Sequence, residues 1–550
     1  MIHDDIVQLL LKSRGFSSKE DQVAFLDPQY SVFKHDAFLL PDMEAAVDRL
    51  VEAKKKKHKV VVYGDYDIDG LTATAILLES LEAFDINVDA FIPNRFVEGY
   101  GLSKKAVETI AAGGAQLIVT VDCGSLSHRE IARANELGVD VIVTDHHSVA
   151  ETMPAAIATI NPKRLDHEYP FIDLAGVGVA FKLVQALQTK LSGLDEGQEK
   201  WLLDLVALGT VCDVVTLVDE NRANVRWGLE VMKKTRRPGL RALMAISGAK
   251  SSTLNARSLG FGLGPRLNAS GRLETAKLSL DLLRESDSQK ALELAQKLDL
   301  MNVARRTEQD RIFKEAIVKA EELVNDPVLI VSDPSWSHGI IGIVAAKLLE
   351  RYHKPTFVLQ ELGEESKGSA RSYGDFSAVA AIRATDMLLV KGGGHKLAAG
   401  VTIQTKKIGE WRTAVNVYYR TLALTGQAES LLTRADVTLD TFAGINESLV
   451  HQMDQLEPFG NGNPQPVFRF EPLTVTNRRL MGDKSQHVKY SFADKTGKTF
   501  QAIAFNSSDR FTAEPGEIVA AWCELSINEW QNRRTVEGIL KRLELTEAVS

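Results

Sequence analysis

The sequence is poor in cysteine and has no long apolar run. Its three cysteines, Cys123, Cys212 and Cys523, are far apart and odd in number, so they indicate neither a disulfide framework nor a cysteine zinc site. No apolar stretch approaches the roughly 20 residues that cross a bilayer. The opening MIHDDIVQLL lacks the basic start and the longer apolar stretch of a secretory signal. These absences predict a protein of the reducing cytoplasm with no membrane partner.

The sequence also lacks the positive charge of a general nucleic-acid coat protein. Its formal net charge is −8 and its pI is about 5.9, so a nucleic acid would have to bind in a local positive channel. The motif GxxxxGK[ST] is absent, and no glycine cluster has GxGxxG spacing after a strand. Both absences argue against a nucleotide-driven enzyme.

What is present indicates a globular protein with an α/β core. The chain has 550 residues, of which 44% are apolar and 25% charged, and this length predicts three or four domains. Strands and helices alternate between residues 46 and 215, which predicts a doubly wound domain with a parallel sheet. The predicted strands are 59–64, 87–93, 116–122 and 139–145, and the predicted helices are 72–84, 103–113 and 128–138.

The rest of the chain contains three further kinds of segment. Residues 276–326 have no internal proline or glycine and predict one very long connecting helix. A second, smaller α/β domain follows, with strands at 327–332 and 355–360 and a helix at 338–352. From residue 464, short alternating segments at close spacing predict a small all-β barrel.

The strongest motif is a set of acidic and histidine residues that follow predicted strands. In open α/β sheets, ligands bind beyond the carboxyl ends of the strands, so these side chains are expected to meet in one crevice. A single aspartate in such a place is more often a helix cap, so the prediction depends on the combination. The set comprises Asp65, Asp67 and Asp69, then Asp122, then Asp145, His146 and His147, then Asp213 after the apolar stretch LLDLVALGTVC.

Convergence of these carboxylates predicts bound metal. Two like charges about 4 Å apart repel by about 4 kcal/mol near a protein surface, so the cluster needs cations. Carboxylates with imidazoles, in the absence of thiolates, suit manganese or magnesium better than zinc. Six or so ligands exceed the needs of one tetrahedral ion, which favours a pair of bridged metals.

The order of the motifs identifies a family resemblance. DYDIDG, PNR, VDCG and TDHH resemble the DHH phosphoesterase superfamily. GFGLGPRLNASGR (260–272), SHGIIGIVAAKL, GSARS and GGGH resemble its RecJ branch, as does EPFGNGNPQPVF (457–468) ahead of the β-rich end. The similarity covers roughly residues 46–545.

This resemblance implies both an architecture and an activity. It implies a two-domain catalytic core, a long connecting helix and an OB-fold, in a single-strand-specific DNA exonuclease that runs 5′ to 3′ in recombination and repair. Single-stranded DNA is the expected partner, a single-strand-binding protein and a helicase are further candidates, and a monomer is expected. The expected domains are a preface (1–45), a DHH catalytic domain (46–275), the connecting helix (276–326), a DHH-associated domain (327–425), a linker (426–463) and the OB-fold (464–550).

The resemblance also implies roles for individual residues. It implies metal ligands that hold manganese or magnesium, a further catalytic or ligand histidine, a pocket for the terminal 5′-phosphate of DNA, and one more phosphate contact in the GGGH segment. The implied ligands are Asp67, Asp69, Asp122, His146 and Asp213, the further histidine is His147, the pocket is Arg95, Arg272, Ser369 and Arg371, and the GGGH contact is His395. Arg272 and Arg371 are expected in glycine- and serine-rich loops, and the three glycines of GGGH form either a turn or a phosphate-binding loop.

Two alternative functions and the aromatics of the β-rich end complete these expectations. Short DHH enzymes that hydrolyse nanoRNA, cyclic dinucleotides or pyrophosphate lack the appended barrel, and a non-catalytic binding relative would not need the intact acidic set.

Each aromatic residue of the predicted barrel, taken singly, is expected in the core. The domain as a whole is expected to bind single strands through those aromatic residues that are exposed. These aromatics are Tyr490, Phe492, Phe500, Phe505 and Trp530.

Overall fold

The computed structural model describes residues 2–30, 34–94, 101–422, 433–530 and 533–546. It divides into two compact units. Within the described ranges, no helix is both long enough and apolar enough to cross a membrane. Unit 1 comprises Met1–Asn268, Ala276–Ala295 and Thr433–Ser550, and unit 2 comprises Ala269–Thr275 and Gln296–Leu432.

Unit 1 contains the predicted parallel sheet. Its five strands are all parallel and run in the order β2-β1-β3-β4-β5. Three helices come before the first strand of this sheet in the chain: α1 (Ile2–Ser13), α2 (Lys19–Leu26) and α3 (Met43–Lys56). The strands are β1 (Val60–Gly64), β2 (Val88–Phe91), β3 (Leu117–Val121), β4 (Asp140–Thr144) and β5 (Ala158–Ile160).

Helices cover both faces of this sheet, as the sequence predicts. Val61 and Ile118 pack on one face against Val107 and Ile131 of the helices α5 and α6. Because side chains alternate along a strand, Val60 points to the other face, where α4 contacts β1 and β3. The helices of this region are α4 (Ile68–Ala83), α5 (Lys104–Ala112), α6 (His128–Glu136), α7 (Gly176–Gln188), α8 (Leu203–Cys212), α9 (Asp219–Met232) and α10 (Pro238–Ser247).

One placement differs from the prediction that every ligand cluster follows a strand. Asp213 is the C-terminal cap of a helix, α8. All residues from Leu203 to Thr210 are buried, so this helix has no polar face to show helical spacing. A short, continuously apolar run does not distinguish a buried strand from a buried helix.

The long connecting helix predicted at 276–326 is present as α13 (Ser288–Glu321), but it is shorter than predicted and follows a separate helix, α12 (Lys277–Arg284). Helical structure is interrupted at residues 285–287. There, Asp287 Oδ1 accepts a hydrogen bond from the Lys290 N–H at 2.8 Å and caps the second helix. The glycine-rich stretch before it is helical rather than a loop, which places Arg272 on a helix. The elements are a π-helical turn at Ser258–Leu263, α11 (Gly264–Leu273), α12 (Lys277–Arg284) and α13 (Ser288–Glu321).

Unit 2 is built around a mixed sheet in the order β6-β7-β8-β10-β9, in which only β6 and β7 are parallel. Arg371 ends strand β8, so its predicted place in a loop is wrong. The three glycines of GGGH lie in the edge strand β9, paired with β10, rather than in a turn. The elements are β6 (Leu329–Asp333), α14 (His338–Tyr352), β7 (Thr356–Leu362), β8 (Glu365–Arg371), α15 (Ala378–Ala384), β9 (Leu389–Gly394), β10 (Ala398–Gln404) and α16 (Ile408–Thr421).

The last part of unit 1 is the predicted β-rich domain. Strand β12 pairs with both β13 and β15, and β14 pairs with β13 and β16. The domain shares its core with the start of the chain, because Leu10, Leu11 and Phe25 pack into it. The elements are β11 (Val437–Leu439), α17 (Glu447–Met453), β12 (Val467–Met481), β13 (His487–Ala493), β14 (Thr499–Ala504), β15 (Ile518–Trp530) and β16 (Arg533–Leu545).

The aromatic residues of this domain divide between core and surface. Tyr490, Phe492 and Phe500 are buried, as expected for each taken singly. Phe505 is 53% exposed. The side chain of Trp530 lies outside the part of the chain that the structure describes.

Candidate metal centre

The junction of β1 and α4 supplies the first three carboxylates. Asp67 caps α4, because its Oδ1 accepts a hydrogen bond from the Gly70 N–H at 3.1 Å. This cap starts the helix at Ile68, before the predicted start at residue 72. A Cβ at Gly70 would lie 2.6 Å from the Asp65 carbonyl oxygen, so a glycine is needed for this tight turn. The turn brings Asp65 and Asp67 to the carboxyl end of the strand and places Asp69 in the first helical turn.

Asp69 and Asp122 face the N-terminus of α7. Asp69 accepts hydrogen bonds from the N–H groups of Gly176 (2.6 Å) and Val177 (2.8 Å), a favourable place for a carboxylate. Asp122 follows β3 with a φ of 60°, which is unusual for a residue other than glycine. A Cβ at Gly176 would lie 2.8 Å from the Asp122 carboxylate, so the glycine permits this approach. The helix start therefore holds the Asp69 carboxylate by hydrogen bonds and leaves room for that of Asp122.

Asp145, directly after β4, organises the two histidines. Its Oδ1 accepts hydrogen bonds from the N–H groups of His146 (2.8 Å) and His147 (3.1 Å), and lies 2.8 Å from Nδ1 of His147. Its Oδ2 accepts a hydrogen bond from the Ser125 N–H at 2.9 Å. A carboxylate that is hydrogen-bonded to a histidine fixes the orientation of the ring. Asp145 therefore affects the metal site by orienting His147.

His146 lies at the centre of the cluster. Its Nε2 is 3.1 Å from Asp122 Oδ1, 3.5 Å from Asp213 Oδ2 and 3.8 Å from Asp69 Oδ2. Within the described residues, neither this Nε2 nor Asp122 Oδ1 makes a hydrogen bond, although both atoms are buried. Buried polar atoms are normally satisfied. Two lone-pair donors this close, with no hydrogen bond between them, fit a shared cation.

The side chains fall into three groups whose potential ligand atoms lie within 4.8 Å of one another. Asp122 and His146 each belong to two groups, as expected if neighbouring ions share ligands. Oxygen and imidazole donors without a thiolate suit manganese or magnesium. The groups are Asp122, His146 and His147; Asp69, His146 and Asp213; and Asp65, Asp67 and Asp122.

Burial and mutual repulsion shift the carboxyl pKa values upward. Burial, with the charge of Asp67, raises the pKa of Asp69 to about 7. Burial, with the charges of Asp69 and Asp67, raises the pKa of Asp213 to about 9. Burial and the neighbouring carboxylates raise the pKa of Asp122 well above its ordinary value. Bound cations would offset this repulsion and release the protons.

The pKa values of the two histidines shift in opposite directions. Burial, with the neighbouring His147, lowers the pKa of His146 to about 3, so this imidazole is neutral and can donate its lone pair. Burial opposes the charged form of His147, but the hydrogen bond and charge of Asp145 prevail and raise its pKa. Burial would raise the Asp145 pKa, but the His147 hydrogen bond and the imidazole charges lower it.

The structure brings together all six residues of the predicted centre: Asp67, Asp69, Asp122, His146, His147 and Asp213. Sequence reasoning assigned no role to Asn161, which is buried behind the site. Its side-chain N–H donates to the His147 carbonyl and to Ser125 Oγ, at 2.9 Å each. Asn161 directly follows β5, so a fifth strand with a polar residue at its carboxyl end is the signal that was missed.

Unit 2 holds a separate set of positively charged and hydroxyl side chains. Arg272 Nη1 donates to the Gly339 carbonyl at 3.0 Å, in the first turn of α14. Arg371 Nη1 donates to the Ala370 carbonyl at 2.8 Å. A Cβ at Gly342 would lie 2.9 Å from Ser369 Oγ and 3.3 Å from Arg371 Nη2. Arginines, a hydroxyl and a helix N-terminus are together suited to an anion.

Two predicted site residues remain, His395 and Arg95, and the structure describes only the first. His395 is exposed and follows β9, and its N–H donates to the Ala398 carbonyl at 2.8 Å. Arg95 lies outside the residues that the structure describes.

Three family models match the chain. The model of the DHH family, N-terminal domain, matches residues 59–210. The model of the DHHA1 domain matches residues 325–421, and that of the RecJ OB domain matches residues 436–542. The β-rich domain thus corresponds to an OB domain.

Known proteins resemble the chain over most of its length. It is 36% identical over 554 residues to the single-stranded-DNA-specific exonuclease RecJ of Bacillus subtilis, covering 98% of this chain and 68% of the relative. The crystal structure of RecJ in complex with Mn²⁺ from Thermus thermophilus is 30% identical with a TM-score of 0.84, covering 98% of this chain and 76% of that one. A Mg²⁺ complex of RecJ from the same organism is 28% identical with a TM-score of 0.77, covering 98% and 74%.

Proposed function

This chain belongs to the RecJ family of single-stranded-DNA-specific exonucleases, and from this premise we propose that it degrades DNA from 5′ to 3′ and releases 5′-mononucleotides. It is a metal-dependent exonuclease that binds single-stranded DNA. The observation that carries the proposal is the set of buried and partly buried carboxylates around the neutral imidazole of His146, which form three groups whose ligand atoms lie within 4.8 Å of one another inside each group. Lys163 and His147 offset only part of this negative charge, because the pKa values of Asp69 and Asp213 are still raised, and bound cations would offset the rest.

We assign the ligands of two ions to this set. Asp122 and His146 belong to more than one ligand group, so they are the side chains best placed to contact both ions. The ions, when bound, supply positive charge that activates water and offsets the charge of the phosphodiester oxygens. The chain orients its own groups: the start of α7 holds Asp69, and Asp145 holds His147 as a further ligand or proton donor.

We assign a different substrate contact to unit 2. Arg272, Ser369 and Arg371 bind the terminal 5′-phosphate, because the two guanidinium groups offer several N–H donors in a fixed geometry and the hydroxyl adds one more. His395 binds a further phosphate from the exposed edge at the end of β9. Arg95 is assigned to the 5′-phosphate on its place in the motif PNR alone.

The cellular setting is proposed on the family resemblance. We propose that the chain acts as a monomer in the cytoplasm, in DNA recombination and repair, with a single-strand-binding protein and a helicase as partners. Apart from those of the connecting helix, the domain boundaries predicted from the sequence are kept as a proposal, with the OB-fold at 464–550 as the module for single-strand binding. The exposed Phe505 supports this assignment, because an exposed aromatic can stack on a base.

Digestion of end-labelled single-stranded DNA in the presence of Mn²⁺ tests this function. We expect a 5′ label to be released at once as a mononucleotide, whereas a 3′ label should remain on a steadily shortening strand. A duplex with blunt ends serves as the control and should resist digestion. Immediate release of the 3′ label, or dinucleotide and longer products, would contradict the proposed polarity or product.

A further inference from the structure

The segment EPFGNGN (457–463), which leads into β12, has no role in the site described so far. It folds into a tight turn, because the Gly460 and Asn463 backbones exchange hydrogen bonds of 2.9 and 3.2 Å. This turn contacts the loop at 214–218, which directly follows the metal-site residue Asp213. Both segments belong to unit 1.

The first residue of that loop has a strained backbone. Val214 has a φ of 64°, in the left-handed region, and it is 65% exposed, so core packing does not hold it there. A β-branched residue with this φ is an outlier and persists only where the surroundings hold it. Val214 directly follows Asp213, the C-terminal cap of α8, so the strained loop begins at a metal-site residue.

Asn461 fixes the loop at 214–218 through two hydrogen bonds. Its side-chain Nδ2 donates to the Val214 carbonyl at 3.0 Å, and its own carbonyl accepts from the Leu217 N–H at 2.7 Å. The flanking glycines permit this approach. A Cβ at Gly460 would lie 2.7 Å from Leu217 Cδ1, and Gly462 has a φ of 74°.

The turn that carries Asn461 is itself anchored. Asn463 is buried, and its side-chain N–H donates to the carbonyls of Leu456 and Pro458, at 2.8 Å each. Arg222 of α9, also buried, donates to the carbonyls of Leu456 (3.0 Å) and Glu457 (2.8 Å). A turn fixed at these points can hold the loop after Asp213 in one conformation.

We propose that Asn461 is a positioning residue of the metal centre. By holding the Val214 carbonyl and the Leu217 N–H, it keeps Asp213 in the orientation that binds metal. The entry segment of the OB domain thus braces a ligand of the catalytic domain. The proposal rests on the proposed role of Asp213 as a ligand.

Binding of Mn²⁺ alone, followed by the electron paramagnetic resonance signal of the free ion, tests this proposal. We expect Asn461→Ala to weaken the weaker Mn²⁺ site by about five- to tenfold, the effect of losing one hydrogen bond at an outer contact of a ligand. The melting temperature in chelator should stay close to that of the parent, because the side chain is exposed. Asn461→Ala should also have a lower exonuclease activity at limiting Mn²⁺, and saturating Mn²⁺ should restore it.

Gln465→Ala is the matched control. Gln465 carries an amide two residues beyond this segment, but its Nε2 donates to the Leu525 carbonyl of β15 at 3.1 Å instead of to the loop after Asp213. This variant should bind Mn²⁺ as the parent does. An equal loss of Mn²⁺ affinity in both variants would indicate a general effect of the segment and would overturn the proposal.

A second substitution tests the strain directly. Glycine adopts a positive φ without penalty, so Val214→Gly should reduce the effect of Asn461→Ala on Mn²⁺ affinity to less than about twofold. Equal effects of Asn461→Ala in both backgrounds would contradict the brace. Asp213→Asn separates the two proposals. If it leaves Mn²⁺ binding unchanged, the metal assignment fails; if it weakens binding while Asn461→Ala does not, only the brace fails.

Discussion

The metal centre of unit 1 and the arginine set of unit 2 are opposite in charge and in construction. The first gathers buried carboxylates that repel one another until cations bind, with Asp69 and Asp122 as examples. The second places Arg272 and Arg371 by the N-terminus of α14, a combination suited to binding an anion. A strand of DNA with divalent ions supplies both partners. Local charge, and not the net charge of −8, therefore decides what this protein binds.

The largest expected effect comes from breaking the acidic side of this comparison. Asp122→Asn keeps the size of the side chain and tolerates the φ of 60° at this position. It removes the charge of a carboxylate that belongs to two ligand groups. A loss of about 4 kcal/mol of transition-state stabilisation slows hydrolysis about a thousandfold. Single-turnover digestion of labelled single-stranded DNA measures this rate.

DNA binding and a second aspartate serve as controls for this variant. Binding measured by fluorescence anisotropy should stay close to that of the parent, because the proposed phosphate contacts of unit 2 are unchanged in this variant. Asp89→Asn changes an exposed carboxylate of β2, paired with Lys59 at 2.9 Å, and should leave hydrolysis unchanged. Near-normal turnover by Asp122→Asn would remove this residue from the centre.

A smaller effect is expected from breaking the positive side. Arg371→Ala removes one charge-assisted contact to the terminal phosphate, worth about 1.5–3 kcal/mol. The preference for a 5′-phosphate over a 5′-hydroxyl end should therefore fall about tenfold or more, while the rate on hydroxyl ends changes little. Arg383→Ala, an exposed arginine of α15, is the control. A variant that still discriminates the two ends like the parent would contradict the assignment.

The last expected effect is one of stability, and it concerns the acidic centre alone. With raised pKa values at Asp69 and Asp213, the metal-free folded state keeps protons that the unfolded chain releases above about pH 4. Its free energy of unfolding therefore falls as pH rises, by about 1.4 kcal/mol per pH unit for each retained proton. Bound Mg²⁺ replaces these protons, so the increase in melting temperature on adding Mg²⁺ should grow between about pH 5 and about pH 9.

Calorimetry with chelator and with Mg²⁺ measures this difference. Asp213→Asn removes a group whose pKa is raised to about 9 and should flatten the dependence on pH. An increase in melting temperature that is constant or shrinks toward high pH would show that the carboxyl groups are not protonated in the metal-free protein.

The sequence predicts the acidic centre better than the arginine set, for a physical reason. Parallel strands end at one edge of a sheet, so Asp67, Asp122 and His146 could be placed together from the strand pattern alone. Asp213 was placed correctly in space but on the wrong element, because a fully buried helix shows no helical spacing. The predicted loops around Arg272 and Arg371 are a helix and a strand end, since glycine content alone does not exclude regular structure.

Contacts between segments distant in the chain could not be predicted from local patterns. The start of α7 holds Asp69 across a separation of 107 residues, and nothing in the local sequence marks Gly176 as its partner. The brace from Asn461 to Val214 spans 247 residues. The break before α13 was missed for a different reason, because the cap at Asp287 carries neither proline nor glycine.

The most direct measurement is an anomalous difference map from a crystal soaked in Mn²⁺. We expect two peaks among Asp69, Asp122, His146 and Asp213, with metal–ligand distances of about 2.0–2.4 Å, as is usual for oxygen and imidazole donors. If these four side chains lie apart, or hold no ion at a Mn²⁺ concentration that supports hydrolysis, the metal centre described here is wrong.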